Sequence, residues 1–334
     1  MKIAIVGMGL AGAYLASMLN KDHKVTGFER LPEDKFDSVC AWGTSMKGVE
    51  GFAKNVGLNF NDYIIHKGKE MRVDLWGRKL KINLIGLCIF EKKQFIKDMA
   101  KSVDIKYSEY ITKENLPNKY DLIIDATGLT RTMLPRIKND FLIPCVQYKV
   151  KYKDTPRDDF YVKPFPNFTG YFWYFPLRDG YAHIGAGDYK KGHNLELNNF
   201  LKKYPCEIIS KTGRPVRILP PRLCRPIYSG NVVGVGESIG TVFSLLGEGI
   251  IPSLQCADLL FNNLDNLQEY EVKVLSKFKS YNRVYGFLSS KLNNKYSFLS
   301  QIINLLSIYR YMKSNEDRFG LQIRLRDVLK LGIQ

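Results

Sequence analysis

The chain has 334 residues, 45% apolar and 25% charged. That composition excludes a disordered or fibrous protein and leaves room for two domains or one large composite. Fifty Lys and Arg against 33 Asp and Glu give a formal charge of +17, which fits a phosphorylated substrate, an anionic lipid surface, nucleic acid, or a plainly solvated basic surface.

In chain order, Lys2–Val6 reads as a short buried strand, Ala11–Leu19 as a helix and His23–Phe28 as a second strand ending at Glu29-Arg30. Residues 31–65 look loop-rich, with a short helix near Val49–Val56. Met71–Leu75 and Lys79–Leu84 read as strands about a turn at Gly77. Glu91–Ser102 reads as a helix, and Ile105–Tyr107 and Tyr120–Asp125 as strands. From Phe141 to Gly187 the pattern is antiparallel: Val146–Tyr152, Phe160–Val162, Tyr171–Pro176 and Tyr181–Gly185. Leu195–Tyr204 reads as a helix, Pro215–Leu219 and Asn231–Val235 as strands, Gly249–Leu260 as a helix, and residues 266–334 as mostly helical. Met1-Lys2 runs straight into an apolar strand, which does not resemble a signal peptide. Phe298–Met312 is apolar but interrupted by Ser300, Gln301, Asn304, Ser307 and Arg310, and falls short of the roughly 20 residues of a membrane span. A cytoplasmic location is expected, with peripheral contact at the inner face of a membrane. Six scattered Cys and four His show no CxxC and no HExxH, so no metal is expected. Cys206 and Cys224 flank a Pro-rich segment and could pair, although free thiols are the default in a cytoplasm.

Gly7-Met8-Gly9-Leu10-Ala11-Gly12 directly follows a buried strand and opens a helix, the context in which GxGxxG carries meaning. Gly7 serves the tight turn, Gly9 a close backbone approach to a pyrophosphate at the helix N-terminus, and Gly12 close helix–strand packing; Ala11 lies in the same turn. Glu29, about 20 residues on and followed by Arg30, is placed to accept hydrogen bonds from an adenosine ribose. A second glycine-rich block, Val232–Glu237 and Gly247-Glu248-Gly249-Ile250, lies more than 200 residues downstream. A nicotinamide-binding domain has no use for it; FAD, whose flavin end is far from its adenosine end, does. Glu237 after Gly236 would accept from the ribityl hydroxyls, and the Gly247–Ile250 helix start would face the pyrophosphate or the flavin carbonyls.

Together with Tyr120–Gly128 (YDLIIDATG, ending in Thr127-Gly128), these blocks resemble the three FAD fingerprints of p-hydroxybenzoate hydroxylase-like flavoproteins. Tyr171-Phe172-Trp173-Tyr174-Phe175-Pro176 and the hairpin after it resemble the YxWxFP signature of the geranylgeranyl reductase family, which includes archaeal digeranylgeranylglycerophospholipid reductases. The likeness spans most of residues 1–260. It implies an α/β composite: a Rossmann-like FAD-binding domain (about 1–65, 91–135 and 226–265) interleaved with an antiparallel-sheet catalytic domain (66–90 and 136–225), plus a helical region (266–334). Three departures stand out. The family's Gly-Asp is here Gly236-Glu237. Its Cys-Gly-Gly is here Cys40-Ala41-Trp42-Gly43, with Trp42 expected to fill space beside the flavin. Its Arg before the helix holding Phe95 is here Lys92 or Lys93.

Strand alternation places Tyr171, Trp173 and Phe175 on one face and Phe172 and Tyr174 on the other. An aromatic wall suits a long apolar ligand, although the same residues could form only a core face. Reduction of an alkene by flavin needs a proton donor, for which Cys40 or Tyr171 is a candidate, with Trp173 beside them. The expected substrate is an isoprenoid lipid and the electron donor is external, NAD(P)H or ferredoxin. A flavin monooxygenase of the same fold, acting on an aromatic or isoprenoid substrate, is the alternative reading. Residues 188–226 carry nine Lys/Arg against three Asp/Glu, a concentration that fits an anionic lipid. No RNA-binding motif accompanies the charge, so nucleic acid is not expected as a partner. The Phe298–Met312 helix is expected to turn Ile302, Ile303, Leu306 and Tyr309 toward lipid or the substrate tail, or else to pack on the FAD domain.

Overall fold

The computed structural model describes residues 1–36 and 40–332. Asp37–Val39, in the stretch read as loop-rich, and Ile333–Gln334, in the region read as helical, lie outside the described residues.

Lys2–Val6 is at the centre of a six-stranded sheet, between Lys24–Phe28 and Leu122–Asp125, with Asp104–Lys106, Val232–Gly234 and the edge pair Tyr228–Ser229 completing it. All but the last are parallel. Parallel strands are covered on both faces, so Ile3 to Val6 are all buried. The helix Leu10–Leu19 is buried at nine of its ten positions. It packs against Lys92–Met99 and Ile250–Phe261, and Tyr14 donates from its hydroxyl to Asp258 Oδ1 at 3.0 Å.

A seven-stranded sheet stands beside it in the order Glu207–Gly213, Cys145–Lys151, Tyr181–Asp188, Gly170–Pro176, Phe160–Pro164, Glu70–Leu75, Arg78–Asn83. Phe160–Pro164 and Glu70–Leu75 run parallel and every other neighbouring pair is antiparallel. One face buries Phe172, Tyr174 and Ile184 against Leu197 and Phe200 of the helix His193–Lys203. The other face is the wall of a cavity. The mixed α/β class read from the sequence is the one observed, with helices over Leu267–Lys277, Tyr281–Leu292, Phe298–Lys313, Glu316–Phe319 and Leu325–Gly332.

The structure differs from the sequence reading in several places. The loop-rich stretch contains Gly43–Ser45 and Ile64–Lys67, which pair with Leu87–Phe90 in a small sheet of their own. Glu207–Gly213 is a strand that alternation could not reveal, because it is an edge exposed along nearly its whole length. Pro215–Leu219 shrinks to Val216–Arg217, paired with Leu142–Ile143, since Pro215 and Pro220 bound it. All six cysteines are free, Cys206 and Cys224 among them. Among the described residues no helix is long and apolar enough to cross a membrane.

Candidate active site

The dinucleotide turn is tight in a way that fixes its glycines. Gly7 has φ +93°, and a Cβ there would lie 2.5 Å from the Ala126 carbonyl oxygen. A Cβ on Gly12 would strike the Gly7 carbonyl. At Gly9 the opposite holds: no atom lies within 4 Å of where a Cβ would stand, so the helix N-terminus opens onto free space. Gly9, Ala11, Glu29 and Arg30 line this end of the cavity. Glu29 is buried and fixed by two backbone donors, Met8 N–H to Oε2 at 3.0 Å and Leu31 N–H to Oε1 at 3.1 Å. An ionised carboxylate has acceptor capacity left after two bonds. Of the two candidate lysines, Lys92 is buried and lines the cavity, while Lys93 donates to the Asp34 carbonyl.

Two residues that the sequence reading passed over organise the middle of the site. Asp125 accepts four hydrogen bonds, from Thr127 N–H (3.1 Å), Thr127 Oγ1 (2.6 Å), Met133 N–H (2.9 Å) and Leu134 N–H (3.0 Å). It thereby shapes the Thr127-Gly128 loop, and its place in YDLIIDATG was the available signal. Arg217, one of the nine basic residues of 188–226, is buried, and its guanidinium pairs with Asp140 at 2.7 Å. The same group donates to the carbonyls of Leu129 (2.8 Å) and Glu237 (2.8 Å), tying the second fingerprint to the third. Glu237 accepts Arg217 N–H at 3.1 Å and pairs with Arg214 at 3.1 Å. Arg225 pairs with Glu271, so three of the nine basic residues in 188–226 already have carboxylate partners. Removing one member of a buried pair strands the other. Arg217→Met is therefore expected to lower the unfolding free energy by about 3 kcal/mol, read from the urea midpoint.

The aromatic strand divides as alternation requires. Tyr171, Trp173 and Phe175 line the cavity, while Phe172 and Tyr174 are fully buried on the far face. Their cross-strand partners explain the hollow: Tyr171 pairs with Gly187 and Trp173 with Gly185. A Cβ on Gly185 would collide with the Trp173 indole, and one on Gly187 would lie 2.5 Å from Cys145 Sγ. Burial pushes the Cys145 thiol up to about 12, with Glu237 adding to the shift, so this cavity-lining sulfur stays protonated near neutral pH.

Tyr171, a proton-donor candidate, lines the cavity with its hydroxyl engaged at the turn beyond it. Its hydroxyl donates to the Leu246 carbonyl at 2.5 Å, and burial raises its pKa well above the ordinary tyrosine value. This hydrogen bond ties the aromatic strand to the Leu245–Gly249 turn. Trp42 has φ +63°, and its ring packs on His183, 4.6 Å between centroids, with the Lys149 ammonium 5.7 Å from its centre. Its neighbours Ala41 and Gly43 line the cavity instead. Cys40 does line it, accepts Trp42 N–H at Sγ (3.3 Å) and is held by Gln147 Nε2 on its carbonyl (3.1 Å).

These parts surround one cavity of about 570 Å³ that reaches from Gly9 past Thr127, Gly128, Gly236, Glu237, Gly247, Gly249 and Ile250 to Tyr171 and Trp173. Beyond them it ends between the sheet residues Met71 and Leu80 and the helix residues Leu288 and Met312. Gln147 Oε1, Thr44 Oγ1 and Trp173 Nε1 are buried without a hydrogen-bond partner, and all three residues line it. Buried polar atoms are seldom left unpaired. The open space at Gly9, the fixed carboxylate of Glu29 and these three unpaired atoms fit a long, polar, planar cofactor such as FAD.

The fold is the one found in solved flavin-dependent oxidoreductases. A geranylgeranyl bacteriochlorophyll reductase-like protein of Thermoplasma acidophilum superposes with a TM-score of 0.71 at 17% identity, over 87% of each chain. A 2-methyl-3-hydroxypyridine-5-carboxylic acid oxygenase superposes at 0.65 and 14% identity, over 88% of this chain and 91% of that one. By sequence, the chain is 27% identical to an uncharacterized protein of Methanocaldococcus jannaschii, over 84% of this chain and 87% of the relative. It is 26% identical to a digeranylgeranylglycerophospholipid reductase of Methanopyrus kandleri, over 76% and 74%. No family model matches the chain. The resemblance carried by the motifs thus reappears in relatives named as geranylgeranyl lipid reductases and in a structural neighbour of like name.

Proposed function

We propose that this protein reduces carbon–carbon double bonds in the isoprenoid chains of lipids or lipid precursors, using FAD held along the Gly9–Ile250 side of the cavity. The observation that carries the proposal is the shape and chemistry of that cavity: polar and glycine-lined at one end, walled by Tyr171, Trp173 and Phe175 in the middle, and lined mainly by apolar side chains at the other end, with Gln322, Arg324 and Asp327 among them. Bound FAD would supply hydride chemistry. Gly9 and Glu29 would take its adenosine half, Thr127, Gly128, Glu237 and Gly247–Ile250 its middle and ring. The aromatic wall would hold the prenyl chain along its length and exclude water. Cys40 and Tyr171, both lining the cavity, are the candidates to deliver a proton to the second alkene carbon. Electrons would come from an external donor, NAD(P)H or ferredoxin.

The domain division drawn from the sequence belongs to this proposal, with FAD between the six-stranded sheet and the seven-stranded one. So does membrane contact. On the helix Phe298–Lys313, Leu305, Ile308 and Met312 are buried while Leu299 (81%) and Ile303 (77%) are exposed. That face, on a chain of charge +17, suits an anionic lipid surface. The absorption spectrum of the purified protein tests the cofactor. Visible flavin bands and FAD released on heating are expected; a colourless protein that takes up no added FAD would refute the proposal. The oxygenase-like neighbour leaves a hydroxylase as the competing outcome, recognised by dioxygen consumed in step with NAD(P)H and an oxygen atom gained by the substrate.

A further inference from the structure

Arg318 comes from the short helix Glu316–Phe319, far along the chain from every fingerprint, yet it lines the same cavity. It is 8% exposed. One terminal nitrogen, Nη2, donates to Glu248 Oε2 at 2.5 Å and to the Tyr281 hydroxyl at 2.7 Å; Nη1 donates to the Tyr311 hydroxyl. The guanidinium carbon lies 4.6 Å from the centre of the Phe319 ring and 5.7 Å from that of Phe243. The third nitrogen, Nε, is buried with no partner.

Glu248 sits inside the Gly247–Ile250 turn that the proposed function assigns to the flavin end. Its other oxygen accepts Ile251 N–H at 3.1 Å, in the first turn of the helix Ile250–Phe261. Burial raises the Glu248 carboxyl above its ordinary value and Arg318 opposes the shift. The segment carrying Arg318 is firmly seated. Ser45 donates from Oγ to the Asp317 carbonyl, Ile85 N–H bonds to the Gly320 carbonyl at 2.9 Å, and Leu84 bridges to Leu321. The side chain is thus delivered by the C-terminal helices to a fixed place in the cavity wall, with one donor left over. A guanidinium with four of its five N–H groups on two terminal nitrogens has its fifth on Nε, and a buried charged donor without an acceptor is costly.

We infer that Arg318 is a cofactor-facing residue: its Nε–H donates to the bound cofactor, and its charge favours the reduced form over the oxidised one. The inference rests on the FAD reading above. The acceptor it calls for is an oxygen or ring nitrogen that gains negative charge on reduction, which the pyrimidine side of a flavin has. Glu248 holds the guanidinium in place and balances part of its charge. The competing role is structural, with Arg318 as no more than the counter-ion of Glu248.

The two roles separate in a charge-balanced double variant. Arg318→Met alone leaves Glu248 buried and unpaired; Arg318→Met with Glu248→Gln removes both charges together. The measurements are FAD affinity, by titration of the flavin-free protein, and the midpoint potential of the bound flavin. In both variants the affinity for reduced FAD is expected to fall about tenfold more than that for oxidised FAD, a potential about 30 mV lower. Arg318→Lys, which keeps the charge, is expected to recover part of the shift. A double variant with the parent's potential, or a potential indifferent to charge at position 318, would overturn the inference and leave the FAD reading standing. A parent protein that binds no flavin would overturn both.

Discussion

Gly9→Val is expected to yield a folded protein that has lost its FAD. The backbone at Gly9 has φ −68° and ψ −169°, a conformation open to any L-residue, and no atom lies within 4 Å of the new Cβ. Stability should therefore change little, by about 1 kcal/mol at most for a poorer helix cap. The branched side chain instead fills the space where the backbone must approach a pyrophosphate. Overpacking of about 3 kcal/mol corresponds to roughly hundredfold weaker FAD binding, measured by titration, while circular dichroism and the melting temperature stay near those of the parent. Gly7 and Gly12 offer the contrast. Side chains there meet Ala126 and the Gly7 carbonyl, so their valine variants should lose the fold along with the cofactor. A Gly9→Val protein that keeps FAD at the parent's affinity would show that the cofactor lies elsewhere.

Trp173→Ala is the second large effect, and it should spare the cofactor. Trp173 forms the middle of the wall, edge-on to Tyr171 at 5.7 Å between ring centres and lying over Gly185. Its indole faces the cavity, away from the core that Phe172 and Tyr174 fill on the other side. Truncation removes apolar contact worth about 1.5–3 kcal/mol to a bound prenyl chain. If that contact positions the alkene, kcat/KM on a geranylgeranyl lipid should drop about ten- to hundredfold, with the flavin spectrum unchanged. An unchanged rate on that lipid would mean that the chain does not run along this strand.

The features legible in the sequence are those whose meaning is local. Lys2–Val6 followed by Gly7-Met8-Gly9 carries its strand, turn and helix within a dozen residues, and Tyr171–Phe175 states its two faces by alternation alone. What stayed hidden depends on partners far away in the chain. Arg217 finds Asp140 across 77 positions and Arg318 finds Glu248 across 70; a one-dimensional reading counts both arginines toward the net charge alone. Trp42, placed by its position in the family's Cys-Gly-Gly block, has a left-handed backbone and a ring against His183 from a distant strand, neither of which a linear motif states. Tyr171 stands on the face that alternation gives it, but the Leu246 carbonyl that accepts its hydrogen bond comes from a turn 75 residues on. Glu207–Gly213 escaped because an exposed edge strand needs no apolar alternation.

The most direct test of the central claim is an anaerobic reduction. The purified protein, its flavin reduced in the absence of dioxygen, is mixed with a digeranylgeranyl glycerophospholipid, and the lipid is analysed by mass spectrometry while flavin absorbance is followed. The expected result is reoxidation of the flavin by the lipid and a product heavier by one pair of hydrogens for each double bond saturated. Flavin that stays reduced with the lipid present, and reoxidises only when dioxygen is admitted while the substrate gains oxygen, would contradict the account.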